Sequence, residues 1–203
     1  MAGEVVGARP SREQVSERLA TGPGYVVLPA LVTPDLVDAA LRRLNLEILR
    51  SGLSAEQIEQ WKYSTFWPSL RWEDEIVALR RPMEEVVPAG PGELWGDPQL
   101  LLRFPDESTD WPLRPHIDDL PEWAGTRSYE MIFGVALSRA HAVDGCLTVW
   151  CGSHRGQEGA RDLVELDPGD VVVLHPGVGH SSTLNTGGSI RYAVYFRLLG
   201  APA

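Results

Sequence analysis

Lysine is almost missing from this chain: of 18 basic residues, Lys62 is the single lysine and the other 17 are arginine. No basic run or stripe occurs, which excludes a nucleic-acid partner that would need its phosphate backbone neutralised. Cysteine is nearly as scarce. Cys146 and Cys151 sit five apart in CLTVWC, and strand positions five apart face opposite ways, so two reduced, buried thiols are expected rather than a disulfide. No apolar run approaches the roughly 18 residues of a membrane span. The opening MAGEVVGARP has no charged segment leading into an apolar one, so a secretory signal is not expected. These absences point to a cytoplasmic protein with no membrane partner. Internal repeats and low-complexity linkers are also lacking.

What is present is the composition of a soluble globular protein: 203 residues, 43% hydrophobic and 23% charged. That length suits one domain with a core large enough to stand without disulfides or a structural metal. The formal charge is −10, and the acid excess lies in the middle of the chain, at 9 acids against 4 bases in residues 51–100 and 8 against 4 in residues 101–150.

Residues 1–90 read as mainly helical. Ser11 with Gln14 forms a capping box, and Gly22 offers a stop. Thr33-Pro34-Asp35 supplies a cap, a proline at the first helical position and an acid in the first turn. Val37, Leu41, Leu44 and Ile48 then recur at helical spacing until Gly52. Ser54 with Gln57 opens a short third helix, and a fourth apolar-periodic piece, Ile76 to Val87, is interrupted by Pro82. From about residue 91 to residue 200 the pattern changes to short apolar runs bounded by Gly, Pro and Asp: LLLRF, MIFGVALS, CLTVW, DVVVLH and IRYAVYFRLL. Such runs predict a β-sandwich or barrel. The fold class expected is α+β, a single domain with packing helices first and a curled sheet after.

All five histidines lie in the second half. His116 and Asp118 in PHIDDL are two apart, so on a strand or its end they project to one side, with Asp119 facing away. His180, in HPGVGHSSTLN, is the best third partner. Two histidines and one carboxylate on one face of a metal leave the opposite positions open, an arrangement suited to ferrous iron that binds a co-substrate and oxygen. A His-x-Asp pair alone arises often by chance as a surface or hydrogen-bonded pair. Arg191, eleven residues beyond His180 in an apolar run, adds weight. A guanidinium there needs an acceptor, and its fork suits a carboxylate, although a structural ion pair is the competing explanation.

Three segments, HID at 116–118, DGCLTVWCGSHRG at 144–156 and GDVVVLHPGVGHSSTLNTGGSIR at 169–191, together resemble the phytanoyl-CoA dioxygenase family of iron(II)- and 2-oxoglutarate-dependent oxygenases. The resemblance covers roughly residues 95–199. It implies a double-stranded β-helix of jelly-roll type. It also implies His116, Asp118 and His180 as iron ligands, Arg191 as anchor for the far carboxylate of 2-oxoglutarate, Ser182 as a helper to that anchor, and Gln99 as a further co-substrate contact. One departure stands out: some relatives carry an aromatic co-substrate contact in the MIFGVALS strand, where this chain has Gly134, with Phe133 pointing the other way.

The remaining candidates read plainly. His154 and His175 are expected to be architectural and His141 solvated. Trp61, Trp67 and Trp72 are expected in packing, and Trp111 and Trp123 at a pocket mouth. Arg103 and Arg114 are expected to pair with local acids rather than to steer a substrate. The resemblance implies an oxygenase that uses Fe(II), 2-oxoglutarate and O2 to hydroxylate a C–H bond of a small-molecule metabolite or natural-product intermediate, releasing succinate and CO2. Asp118 argues against a halogenase, whose halide would need that coordination site. Desaturation, epoxidation or cyclisation on the same cofactors, a zinc hydrolase or isomerase with the same ligands, and a non-catalytic binding module stay open. The sequence does not indicate an oligomeric state.

Overall fold

The computed structural model describes residues 9–52, 54–57, 73–106, 114–118, 127–157 and 159–202. Its framework is two antiparallel sheets. The larger contains β1 (Tyr25–Leu28), β7 (Val171–Leu174), β4 (Tyr129–Ala136) and β9 (Arg191–Leu199) in that order, with β2 (Leu94–Trp95) and β3 (Gln99–Arg103) both paired to the far side of β9. The smaller is β6 (Arg161–Val164), β5 (Leu147–Trp150) and β8 (His180–Ser182). This is the expected α+β jelly roll.

Alternation along the strands explains how the layers stack. In β4, Met131, Phe133 and Val135 join a core shared with the helices, while Ile132 and Ala136 join a second core with Leu147, Val149 and Val164 of the smaller sheet. Both faces of the larger sheet are therefore covered, which is why its central strands read as continuous apolar runs rather than as alternating ones.

The helices follow their end signals. In α1 (Arg12–Thr21) the Ser11/Gln14 capping box is present and Gly22 is the C-cap. In α2 (Pro34–Ser51) Pro34 stands in the first turn and Gly52 takes the left-handed conformation at φ 58°. Thr33 departs from expectation, since its side chain makes no cap hydrogen bond. Ser54 and Gln57 exchange backbone-to-side-chain bonds of 2.9 and 3.2 Å, as a capping box does. The fourth piece is split at Pro82 into α3 (Asp74–Ala78) and α4 (Arg81–Val86), because proline is tolerated at a helix start and not inside one.

The reading of residues 1–90 as helical is corrected at one point: Tyr25–Leu28 form β1, paired in register with Leu174–Val171. Four residues between two helices carry too short a pattern to declare themselves, and the partner strand is far along the chain. The two cysteines are free; Cys146 is buried but Cys151 only half-buried, a correction to the pair of buried thiols. Asp119, Lys62 and Trp61, Trp67, Trp72, Trp111 and Trp123 lie outside the described residues. Among the described residues, no helix is long and apolar enough to cross a membrane.

Candidate metal centre and its arginines

β8 is short and polar, but it is held on both sides. It pairs with β5 through Val149↔His180, Thr148↔Ser181 and Leu147↔Ser182. On its other flank His180 exchanges two 3.0 Å backbone bonds with His116. That bridge makes two residues 64 positions apart cross-strand neighbours, with ring centroids 4.5 Å apart. Asp118, two residues on, places Oδ1 3.5 Å from His180 Nε2 and 3.9 Å from His116 Nε2. The ligand atoms of all three lie within 4.8 Å of one another, and among the described residues this is the one group of three such side chains able to hold a metal ion.

The protonation pattern suits a metal. His180 Nδ1 lies 3.1 Å from the Val178 carbonyl, which can only accept, so Nδ1 donates there and Nε2 is the ring atom that faces Asp118. Burial, and then the neighbouring His180, push the His116 imidazole below its ordinary pKa despite the opposing pull of Asp118, which favours the neutral ring. Burial raises the Asp118 pKa, but the His180 hydrogen bond and Arg197 outweigh it and hold the carboxyl well below the usual range. A carboxylate and neutral imidazoles are what a metal would require of these three side chains.

These side chains open onto a cavity of about 240 Å³ that also presents Gln99, Arg103, Ser182, Arg191, Tyr195 and Arg197. Its polar wall comes from β9. Odd positions Arg191, Tyr195 and Arg197 face the cavity, while Val194, Phe196 and Leu198 enter the helix-side core. On β3, Gln99 and Arg103 face the same way, directly opposite Tyr195 and Arg191.

Arg191 is 3% exposed. Its Nη1 donates to the Gly145 carbonyl at 2.7 Å, while Nε and Nη2 are buried without a hydrogen-bond partner. Gly145 sits at φ 84°, and an added Cβ would meet the Thr183 carbonyl oxygen at 3.2 Å, so the turn that presents its carbonyl favours glycine. Leaving a guanidinium half-satisfied in the interior costs free energy. The Ser182 hydroxyl, lining the same cavity, is likewise buried and unpartnered. An anion between the two would satisfy both. Arg197 stands differently, because its Nη2 already donates to Asp118 Oδ2 and, at 2.6 Å, to Gln99 Oε1. Arg197 leaves one buried nitrogen, Nε, without a partner, against two on Arg191.

His116, Asp118, His180, Arg191, Ser182 and Gln99 are thus gathered around one cavity, with Gln99 bonded to Arg197. Sequence reasoning did not single out Tyr195 or Arg197, although the two-residue alternation of RYAVYFR marks both as sharing a face with Arg191. The aromatic ring expected to be missing at Gly134 is supplied across the strand pair. Tyr195 lies opposite Gly134, with ring carbons 2.7 and 2.9 Å from where a Cβ would stand. Arg103, weighed in the sequence between pairing with local acids and steering a substrate, lines the cavity. His141, expected to be solvated, is partly exposed, and its Nε2 lies 3.1 Å from the exposed Asp167. His154 and His175 stack at 4.5 Å, and His175 Nδ1 accepts the Gly177 N–H at 3.0 Å, an architectural pair.

No protein-family model matches the chain, and no curated protein does. Solved structures do. AviO1 from Streptomyces viridochromogenes Tue57 superposes with a TM-score of 0.66 at 20% identity, over 97% of this chain and 99% of that one. The non-heme alpha ketoglutarate dependent epimerase SnoN gives 0.65 at 20%, over 93% and 82%, and has been solved with Fe3+, alpha ketoglutarate and nogalamycin RO. The non-heme alpha ketoglutarate dependent carbocyclase SnoK gives 0.65 at 17%, over 97% and 87%. The chain shares the jelly-roll fold of these enzymes over nearly its whole length.

Proposed function

We propose that this chain is an Fe(II)- and 2-oxoglutarate-dependent oxygenase acting on a C–H bond of a small molecule. The observation that carries the reading is Arg191: a buried guanidinium with two unpartnered nitrogens, facing the same cavity as a two-histidine, one-carboxylate cluster. A zinc hydrolase or a passive binding module needs the three ligands or the cavity, but neither accounts for Arg191. The fold neighbours named as alpha ketoglutarate dependent support the same class, and the three matched segments support a place near the phytanoyl-CoA dioxygenases within it.

His116, Asp118 and His180 would hold the iron, and Arg191 with Ser182 would take the far carboxylate of 2-oxoglutarate. When bound, iron with 2-oxoglutarate and oxygen supplies an oxidative decarboxylation to succinate and CO2 that can attack an unactivated C–H bond. Arg191 fixes the co-substrate's orientation before reaction, converting binding into alignment. The apolar residues Leu101 and Leu147, which also line the cavity, exclude water from the same space. Val178, through its carbonyl, holds the proton on His180 Nδ1.

Hydroxylation is the simplest outcome. The carbocyclase among the fold neighbours gives ring closure a specific claim as the second. A metabolite screen that reads succinate formation, followed by product mass, separates them: hydroxylation adds one oxygen atom, and ring closure removes two hydrogens. Asp118→Ala should abolish succinate formation on any substrate found. Undiminished turnover in that variant would refute the assignment.

A further inference from the structure

We propose that Arg197, aligned by Gln99, is a positioning residue that restricts Asp118 to a one-oxygen metal ligand and thereby keeps a coordination position open. The two carboxylate oxygens of Asp118 have different surroundings. Oδ1 faces both histidines, at 3.5 Å from His180 Nε2 and 3.9 Å from His116 Nε2. Oδ2 accepts a hydrogen bond from Arg197 Nη2. That nitrogen also donates to Gln99 Oε1 at 2.6 Å, and the guanidinium carbon lies 5.7 Å from the Tyr129 ring centroid. The fork is therefore oriented from three directions, on a side chain that is only 16% exposed.

The consequence is a matter of counting. A six-coordinate metal with three protein ligand atoms has three positions left, enough for a two-atom chelate and one further molecule. A carboxylate that ligates through both oxygens removes one of these. Asp118 has no covalent reason to prefer one oxygen; the preference here comes from the charge-assisted bond that occupies Oδ2. The inference rests on His116, Asp118 and His180 holding a metal, and it adds a role for Arg197 that the three ligands by themselves do not require.

Cobalt(II) is the probe, because its d–d absorption reports coordination number without turnover. Titration of wild-type protein, Arg197→Gln and Arg197→Lys would measure affinity and spectrum together, with circular dichroism and thermal melting of the metal-free proteins as folding controls. Arg197→Gln should weaken cobalt binding by about 10–100-fold, the usual effect of removing a partner of a metal ligand, and should change the d–d band. Arg197→Lys should recover part of the affinity, since it keeps the charge and loses the planar fork. Gln99→Leu, which leaves the charge in place and removes its alignment, should give a smaller loss, and with the lysine variant it carries the test if Arg197→Gln does not fold. A folded Arg197→Gln, or these two together, with wild-type affinity and spectrum would overturn the proposal and leave the metal reading intact. Failure of wild-type protein to bind cobalt or iron at all would overturn both.

Discussion

At the scale of single residues, the site is organised by unequal satisfaction of charged groups. Asp118 has a neighbour for each oxygen, Arg197 donates twice through Nη2 and leaves one buried nitrogen unpartnered, and Arg191 is left with two. That contrast, more than the presence of His-x-Asp, separates a ligand cavity from a structural ion-pair network. Tyr195 and Gly134 show the same economy: the glycine exists so that the phenol ring can lie over the neighbouring strand and still face the cavity. Gly134→Ala would put a methyl 2.7 Å from that ring and 3.0 Å from Val172 Cγ1. It should cost about 1–3 kcal/mol, as overpacking does, measured by urea unfolding. Replacing Tyr195 by Leu in the same chain should restore part of the loss. A Gly134→Ala protein as stable as its parent would show that the ring does not depend on the glycine.

At the scale of elements, what the sequence made legible depended on whether a signal was local. Capping boxes at Ser11 and Ser54, the stop at Gly52 and the break at Pro82 are encoded within a few residues, and all appear in the structure. β1 and β8 are not local. Tyr25–Leu28 become a strand because Val171–Leu174 wait across 146 residues, and His180–Ser182 because β5 and His116 flank them. In β9 the run was readable as a strand but its faces were not separated, so Arg191 was found by its distance from His180 while Arg197, on the same face, was passed over. A lock between distant residues ties α1 to the start of β2: Arg12 donates to both carboxylate oxygens of Glu93, at 2.7 and 2.6 Å. The Arg12 hydrogen bond holds the Glu93 carboxyl below its ordinary pKa, against a smaller effect of burial. A depressed carboxyl stabilises the fold fully above the unfolded pKa, about 4.3, and the contribution disappears as pH falls through the lower folded value. Glu93→Gln should therefore cost about 1 kcal/mol or less near neutrality, given partial exposure. The difference from wild type should vanish in acid, and a gap constant from pH 7 to pH 3 would rule out the linkage.

At the scale of the whole molecule, the −10 charge and the site have opposite signs. The cavity is lined by Arg103, Arg191 and Arg197 against the single acid Asp118. The overall negative charge therefore does not carry over to the cavity between the sheets, whose charged lining is mainly cationic. The jelly roll brings this about by placing the odd residues of β9 and β3 between its layers, next to the edge where His116 meets His180. Superposition on the fold neighbours with TM-scores of 0.65 and 0.66, at 20% identity, establishes that scaffold, and the chemistry depends on what fills it. The most direct test is anaerobic addition of iron(II) and 2-oxoglutarate to the purified protein. Wild-type protein should develop a metal-to-ligand charge-transfer band. Arg191→Ala should lose it or need about 10–100-fold more 2-oxoglutarate, the loss expected for a charge-assisted bond of roughly 1.5–3 kcal/mol. No band in wild-type protein at saturating iron and 2-oxoglutarate would contradict the assignment.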